Sequence, residues 1–256
     1  MNDKHTKKFL NLRKKLLERS FSEMNENQFE AIFNINGPLI VLAGAGSGKT
    51  TVIINRIANM INFGDAYNSD ETPEQLTDEL IDDLQNTYNA KMDAASLKDK
   101  LRVNAVNPWN ILAITFTNKA ANELKSRLSK AVGEQSSNVW ASTFHSMCAK
   151  MLRIHADKIG YSNHFTVYDT DDTKRLIKEC QKILKIDDKI LNYKSIGYEI
   201  SRAKDELVDA EKFKQNSGGD FRLTHIAEVY EMYQNRLREA DAMDFDDLIF
   251  NTIHLF

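Results

Sequence analysis

The stretch Pro38-Leu-Ile-Val-Leu-Ala43-Gly-Ala-Gly-Ser-Gly48-Lys49-Thr50 decides the fold of this 256-residue chain. Its first half is a continuous apolar run (residues 38–43), which predicts a strand buried on both faces of a parallel sheet. Its second half, the glycine-rich loop of residues 43–50, fits the phosphate-binding motif, with Ala43 where the strict form has glycine. From Thr51 to Phe63 apolar side chains recur at helical spacing, which predicts a helix directly after the loop.

The residues of the glycine-rich loop predict a nucleotide site. Its glycines let successive N–H groups point at a β-phosphate, and the N-terminus of the next helix adds partial positive charge. Lys49 would bridge the β- and γ-oxygens and the Thr50 hydroxyl would ligate Mg²⁺, so ATP and Mg²⁺ are the expected cofactors. We expect Lys49 and Thr50 to be catalytic, Thr50 to be the metal ligand, and the phosphate-binding set to be Ala43, Gly44, Ala45, Gly46, Ser47, Gly48, Lys49, Thr50 and Thr51.

Further along the chain, strands and helices alternate and then the strands end. Buried-strand patterns at 111–116 and 139–143 flank a predicted helix at 119–132, which is typical of parallel βαβ units. Beyond Asp169, which caps one predicted helix, only helical patterns follow, and Thr224 is expected to cap another. The sequence therefore predicts an α/β domain with an attached or inserted all-helical subdomain.

Composition excludes several classes of protein. Ten glycines and three prolines are about half of average usage, which excludes collagen-like and linker-like chains and disfavours β-meanders. Two cysteines, Cys148 and Cys180, cannot form a disulfide framework. No apolar run approaches the ~18 residues of a membrane span, and the basic N-terminus lacks the apolar core of a signal peptide. We expect an intracellular, soluble, cytoplasmic protein without a membrane partner.

The net charge of −3 conceals an uneven distribution. Residues 65–100 hold ten acids against three lysines, whereas the first 20 residues hold seven basic groups against two acids. We interpret residues 1–20 as a solvated basic helix or arm, and residues 64–107 as an acidic helical insertion that is a solvated surface feature. Thr72, Pro73 and Gln75 predict the helix start within this insertion, since they fit a capping box with proline in the first turn. Because the charges are segregated, a near-neutral total does not exclude a nucleic-acid partner.

A complete phosphoryl-transfer site needs a second carboxylate for the metal and a residue that activates water. Three Asp-Glu pairs occur, at 70–71, 78–79 and 205–206, and none of them follows an apolar run. In Asp244-Phe-Asp-Asp247 the apolar residues come after the acids, which predicts a helix start. The second half of the hydrolytic site is therefore not found in these 256 residues.

Five motifs occur in one order along the chain: Asn25-Glu-Asn-Gln28, the glycine-rich loop, Ile114-Thr-Phe-Thr-Asn-Lys-Ala-Ala121, Ser142-Thr-Phe-His-Ser146 and Asp244-Phe-Asp-Asp-Leu248. Together they are similar to the N-terminal part of the UvrD/PcrA/Rep helicases, superfamily-one motors that move 3′ to 5′ on single-stranded DNA. The resemblance implies that Gln28 selects adenine, that residues 21–147 and 241–256 form a RecA-like domain, and that residues 148–240 form the inserted helical subdomain.

The motifs at 114–121 and 142–146 each place residues just past the C-terminal end of a predicted strand. Open α/β sheets bind their ligands at this edge of the sheet. Hydroxyl and amide groups, a lysine and aromatic rings suit a sugar-phosphate track with base stacking, although core packing of the two phenylalanines is the alternative. With the resemblance, they indicate binding of single-stranded DNA and of single/double-strand junctions. The expected DNA-binding residues are Phe116, Thr117, Asn118, Lys119, Thr143, Phe144 and His145.

Three functions are consistent with these patterns. The first is the ATP- and DNA-binding N-terminal fragment of a 3′–5′ DNA helicase, whose full-length form is the enzyme. The second is a nucleotide-gated interaction module without hydrolysis, in which the acidic insertion docks a partner protein. The third is the N-terminal part of an AddA/RecB-type helicase–nuclease. The family's Asp-Glu-x-Gln strand and second RecA-like domain are not in the sequence, so we expect this chain alone to be catalytically incomplete.

Overall fold

The computed structural model describes residues 3–256, and for Asp3 the backbone alone. It divides into two compact units, residues 1–142 and 143–256. The first unit contains α1 (Asp3–Ser20), α2 (Glu26–Phe33), α3 (Lys49–Asn62), α4 (Asp78–Asn89), α5 (Lys98–Leu101), β1 (Leu112–Thr115), α6 (Asn118–Val132) and most of β2 (Trp140–Thr143). The second contains α7 (Phe144–His155), β3 (Thr166–Val167), α8 (Thr170–Ile183), α9 (Tyr193–Asp205), α10 (Ala210–Asn216), α11 (Phe221–Glu239), β4 (Ala242–Met243) and α12 (Phe245–Leu255).

A two-stranded sheet of β1 and β2 lies in the first unit. The predicted strands at 111–116 and 139–143 and the helix at 119–132 are confirmed within a residue or two at each end. Helices α3 and α6 pack together, and their apolar faces form one core with the sheet. That core contains Ile54, Ile57, Ile61, Ile111, Ala113, Leu124, Leu128, Val139 and Ala141. The mixed helix–strand architecture is consistent with an α/β fold.

The apolar run at 38–43 is not a strand, so the prediction of a buried strand there is wrong. Leu42 is 92% exposed and Ile40 is 84% exposed. A strand buried on both faces needs a neighbouring strand to pair its N–H and C=O groups and side chains to cover its faces. Among residues 3–256 no strand pairs with this run, and the run stays open to solvent.

The basic N-terminal segment is a helix, one of its two predicted forms, but one side of it is packed, so the prediction that it is solvated is wrong. On α1 the apolar side chains recur at helical spacing and are buried, and they form one core with α2 and the acidic insertion. Most of the lysines occupy the opposite, exposed side of the helix. The buried apolar residues of α1 are Phe9, Leu12, Leu16 and Leu17.

The acidic insertion is packed on one side, whereas the sequence predicts a solvated surface feature. Helix α4 lies against α1 and buries Leu80, Ile81 and Leu84. It begins after Thr77, whose hydroxyl accepts from Leu80 N, and not at Thr72 as the sequence predicts. Just before the predicted start, the Arg13 guanidinium, which is fully buried, donates to the backbone carbonyls of Ser69 and Glu71.

The second unit is helical, as predicted, with one small addition. Asp169 caps α8 as the sequence predicts, whereas α11 begins after Asp220 and not at Thr224. Asp220 accepts from Leu223 N, and the Thr224 hydroxyl donates back to the Asp220 carbonyl. Two-residue strands β3 and β4 pair in parallel, so strands do not end at Asp169. The predicted domain boundaries differ from this division, because α12, within 241–256, packs on α7 in the second unit.

A buried charge cluster joins three helices of the second unit. The Lys204 ammonium, on α9, lies 2.7 Å from Asp244 Oδ2 and 2.8 Å from Asp247 Oδ1. Tyr233, on α11, donates to Asp244 Oδ2 at 2.6 Å. Burial acts to lower the pKa of Lys204, but the two carboxylates outweigh it and the pKa is raised. Asp244 also caps α12 in a capping box with Asp247, which confirms the predicted helix start.

Candidate functional site

The glycine-rich loop leads directly into α3. Gly46 and Gly48 have φ of +77° and +83°, a conformation that side chains with Cβ rarely adopt. A Cβ at Gly48 would also lie 2.8 Å from Gln28 Nε2. In the described part of the chain, no side chain caps the N-terminus of α3 at Gly48. The N–H groups of its first turn are therefore available to an anion.

Lys49 holds its ammonium over the loop. Its Nζ donates to the carbonyls of Ala43 at 2.8 Å and Gly44 at 2.6 Å. Lys49 and Thr50 are exposed, and together with the half-buried Thr51 they form the first turn of α3. Ser47 closes the loop by donating its hydroxyl to the Gly44 carbonyl. A cation on the loop and open N–H groups at the helix start are two elements of phosphate recognition.

Gln28, on α2, lies against this loop. Its Nε2 donates to the Ser47 carbonyl at 3.0 Å, and its Oε1 accepts from Asn25 N at 3.1 Å in a capping box. A cavity of about 210 Å³ lies beside it, and Val41, Leu42, Ser47 and Lys49 are among its lining residues. The structure therefore brings Gln28 and the predicted phosphate-binding residues together at one place.

The predicted DNA-binding residues divide between the two units. In the first unit Thr117 caps α6, and Phe116, at the end of β1, is 91% exposed. In the second unit the buried Thr143 caps α7, and Phe144 is 40% exposed. The cap bonds engage both threonine hydroxyls with backbone N–H groups. Because the Phe116 ring is 91% exposed, core packing is excluded for it.

The remaining DNA-binding candidates, Asn118, Lys119 and His145, are exposed at the starts of α6 and α7. The His145 ring lies edge-on to Phe245 at 5.9 Å. Within residues 3–256 no group of three His, Cys, Asp or Glu side chains could hold a metal ion. None of the helices in this range is both long and apolar enough to cross a membrane.

The three Asp-Glu pairs do not lie at strand ends. Asp70-Glu71 precedes α4, Asp78-Glu79 forms its first turn, and Asp205-Glu206 ends α9. Asp244 and Asp247 engage Lys204, and their pKa values diverge. Burial acts to raise both pKa values; the Lys204 ammonium leaves that of Asp244 lowered, whereas that of Asp247 is raised.

Sequence reasoning missed the residues that hold α2 in place. Arg56 of α3 donates to the carbonyls of Ala31 and Asn34, at the C-terminal end of α2. Asn59 donates to Ile32 O, and Asn68 donates to Phe33 O. No sequence signal marks these side chains, because their partners are backbone atoms that lie 22 to 35 residues away in the sequence.

Comparison with known proteins identifies the family. The model of the UvrD/REP helicase N-terminal domain matches residues 24–72 and 94–256, and the chain belongs to this family. The ATP-dependent DNA helicase PcrA of Staphylococcus epidermidis is 40% identical over 233 residues, and that of Staphylococcus aureus is 39% identical over 238. These alignments cover 91% and 92% of the chain but 26% and 27% of the relatives. The chain thus spans about a quarter of the length of these relatives.

Proposed function

We propose that this chain binds MgATP through the glycine-rich loop and Gln28, as the nucleotide-binding part of a DNA helicase. The arrangement of Lys49 over the loop, beside the uncapped start of α3, carries the proposal. Backbone N–H groups would hold the phosphates, and the Lys49 ammonium would exchange its two carbonyl partners for phosphate oxygens. The Thr50 hydroxyl would hold Mg²⁺ together with phosphate oxygens, and Gln28 would face the base from the neighbouring cavity.

Titration calorimetry with MgATP tests this proposal. Lys49→Ala removes a charge-assisted contact worth about 1.5–3 kcal/mol, so we expect affinity to fall by roughly 10- to 150-fold. Lys125→Ala, at an exposed position of α6, is the matched control and should bind like the unaltered protein. Equal affinity of all three proteins would contradict the proposal.

We propose further that the strand ends carrying Phe116 and Phe144 contact single-stranded DNA, including its junctions with duplex. The observation that carries this is the exposure of the Phe116 ring, since an apolar ring in solvent next to Asn118 and Lys119 suits base stacking. The relatives, which are DNA helicases by name, support the same substrate. Phosphate contacts by lysine would make the binding strongly dependent on salt.

Fluorescence anisotropy with a labelled oligothymidylate tests the DNA proposal. Phe116→Ala and Phe144→Ala should each weaken binding by about 1–3 kcal/mol if the rings stack on bases. Phe256→Ala, which removes another exposed ring, is the control. A lowered melting temperature with unchanged affinity for Phe144→Ala would assign that ring to packing.

We propose that the chain alone hydrolyses ATP only near the background rate. None of its Asp-Glu pairs follows a strand, so a metal-fixing acid and a water-orienting acid lack their expected places. Fast hydrolysis also requires an arginine finger that reaches the γ-phosphate, and this group alone raises the rate by roughly 10³–10⁵. A phosphate-release assay with and without single-stranded DNA tests this, and DNA-stimulated release that is lost in Lys49→Ala would overturn it.

A further inference from the structure

The C-terminal end of α2 is held by side chains from outside the helix. A helix leaves its last carbonyls without partners of its own, and a cation near them is favourable. Helix α2 has no basic residue in its last turn. Instead, the Arg56 guanidinium of α3 bridges two of these carbonyls, those of Ala31 and Asn34.

The Arg56 contact matters because α2 has only eight residues. A helix that short is not stable by itself, so tertiary contacts fix its position. Its N-terminal end is tied to the glycine-rich loop by the bond from Gln28 to Ser47 O. Both of these contacts come from one continuous segment, the loop and the helix α3 that follows it, and Asn68 adds a bond to the Phe33 carbonyl from outside that segment.

The Gln28 carboxamide keeps capacity for a ligand. A carboxamide has two N–H donors and two acceptor lone pairs, and the bonds to Ser47 O and Asn25 N use one of each. One donor and one lone pair remain, which is the pair that adenine N7 and N6–H₂ require. Guanine presents two acceptors, O6 and N7, at the same edge and does not fit this pair.

We propose that Arg56 is a positioning residue for base recognition, which fixes α2 so that Gln28 meets adenine beside the loop. This inference rests on the proposed nucleotide site. Arg56 is half-buried and lies seven residues after Lys49, about 10 Å further along the helix axis, so it is remote from the phosphates. Its loss should therefore weaken recognition of the base and leave recognition of the phosphates intact.

The experiment compares three ligands by titration calorimetry: MgATP, MgGTP and magnesium tripolyphosphate. A matched bidentate contact discriminates between bases by about 5- to 150-fold, so the unaltered protein should prefer MgATP to MgGTP by a factor in this range. Arg56→Met, which keeps the aliphatic length and removes the donors, should bring this ratio close to one. Its affinity for tripolyphosphate should stay within about twofold, because the loop is unaltered. Arg127→Met, which removes a half-exposed arginine of α6, is the control.

Two further variants make the test specific for positioning. Arg56→Lys retains one cationic donor, so an intermediate preference for ATP is expected, and it carries the same test if Arg56→Met does not fold. In a Gln28→Ala background, Arg56→Met should have no further effect on MgATP affinity, since the two residues act through one contact.

Each contrary result has a distinct meaning. An unchanged ATP preference in Arg56→Met and Arg56→Lys, or an equal loss of affinity for MgATP and tripolyphosphate, overturns the positioning role. If the unaltered protein binds neither MgATP nor tripolyphosphate, the proposed nucleotide site itself fails.

Discussion

The acidic insertion and the apolar run at 38–43 lie in the same unit, and burial in each departs from what composition alone suggests. The insertion is rich in carboxylates, yet it buries Leu80, Ile81 and Leu84 of α4 along one face. The apolar run has almost no polar side chains, yet Ile40 and Leu42 are exposed. Composition sets the tendency to bury a segment, whereas the presence of a partner surface decides whether burial occurs.

The partner of the insertion is α1. The family match begins at residue 24 and omits residues 73–93, so α1 and α4 both lie outside it. These two segments pack on each other and carry opposite charge. Arg19 of α1 also donates to the Tyr88 carbonyl and lies over its ring, 4.3 Å from the centroid. The protein partner predicted for the insertion would therefore meet its acidic face, because α1 covers the apolar one.

One substitution made in both segments tests the comparison most strongly. Leu84→Ala empties a fully buried position between α4 and α1, and we expect a loss of about 2–5 kcal/mol in the free energy of unfolding. Leu42→Ala removes the same atoms from an exposed position and should cost no more than about 0.5 kcal/mol. Urea unfolding of the two variants measures both losses, and amide exchange in α4 follows the local effect of Leu84→Ala. Similar losses at the two sites would contradict the contrast in burial.

The buried guanidinium of Arg13 gives the next largest effect. Arg13→Met leaves the carbonyls of Ser69 and Glu71 without their charged donor, at a cost of about 1.5–3 kcal/mol. Lys14→Met, one residue along, is the control, because this exposed ammonium makes a cation–π contact with Tyr67 that is worth about 0.5–1 kcal/mol. A larger loss for Lys14→Met than for Arg13→Met in the same unfolding assay would refute the bracing role of Arg13.

A smaller, pH-dependent effect is expected at Tyr67, which donates its hydroxyl to Glu18 of α1. Burial, with a further contribution from Glu18, raises the pKa of Tyr67 above its ordinary value of 10.0. A raised pKa means that the neutral phenol contributes stability below pH 10, and this is lost as the pH rises through the folded-state pKa. The stability difference between the unaltered protein and Tyr67→Phe should therefore shrink as the pH rises above 10. A constant difference over that rise would show that the phenol does not support the α1 contact.

The smallest effect concerns a histidine–carboxylate contact at the edge of the same interface. His5 Nε2 lies 3.3 Å from an Asp78 carboxylate oxygen, and the Asp78 side chain is 81% exposed. Exposed pairs contribute little, so Asp78→Asn should change the free energy of unfolding by less than about 0.5 kcal/mol. A loss above 1 kcal/mol, measured at low salt, would mean that charge and not apolar packing joins α1 to the insertion.

Local signals in the sequence predicted local structure well. Asp169 and Asp244 begin helices because a cap is formed by a side chain and backbone N–H groups two or three residues away. Family membership, predicted from five motifs in one order, is confirmed by the family match. Gln28 also lies at the loop as expected, whereas its role toward adenine remains a prediction.

Distant contacts decided what the sequence alone could not. The sequence predicts a helix start at Thr72, whereas α4 begins after Thr77, and the Arg13 contacts with Ser69 and Glu71 hold the segment before it. Arg56 lies on a helix that was predicted, but its partners are carbonyls of another helix. Helix caps and glycine turns are set by neighbours along the chain, which the sequence contains directly. Burial is set by surfaces that only the folded chain brings together, so α1 is covered and Leu42 is exposed.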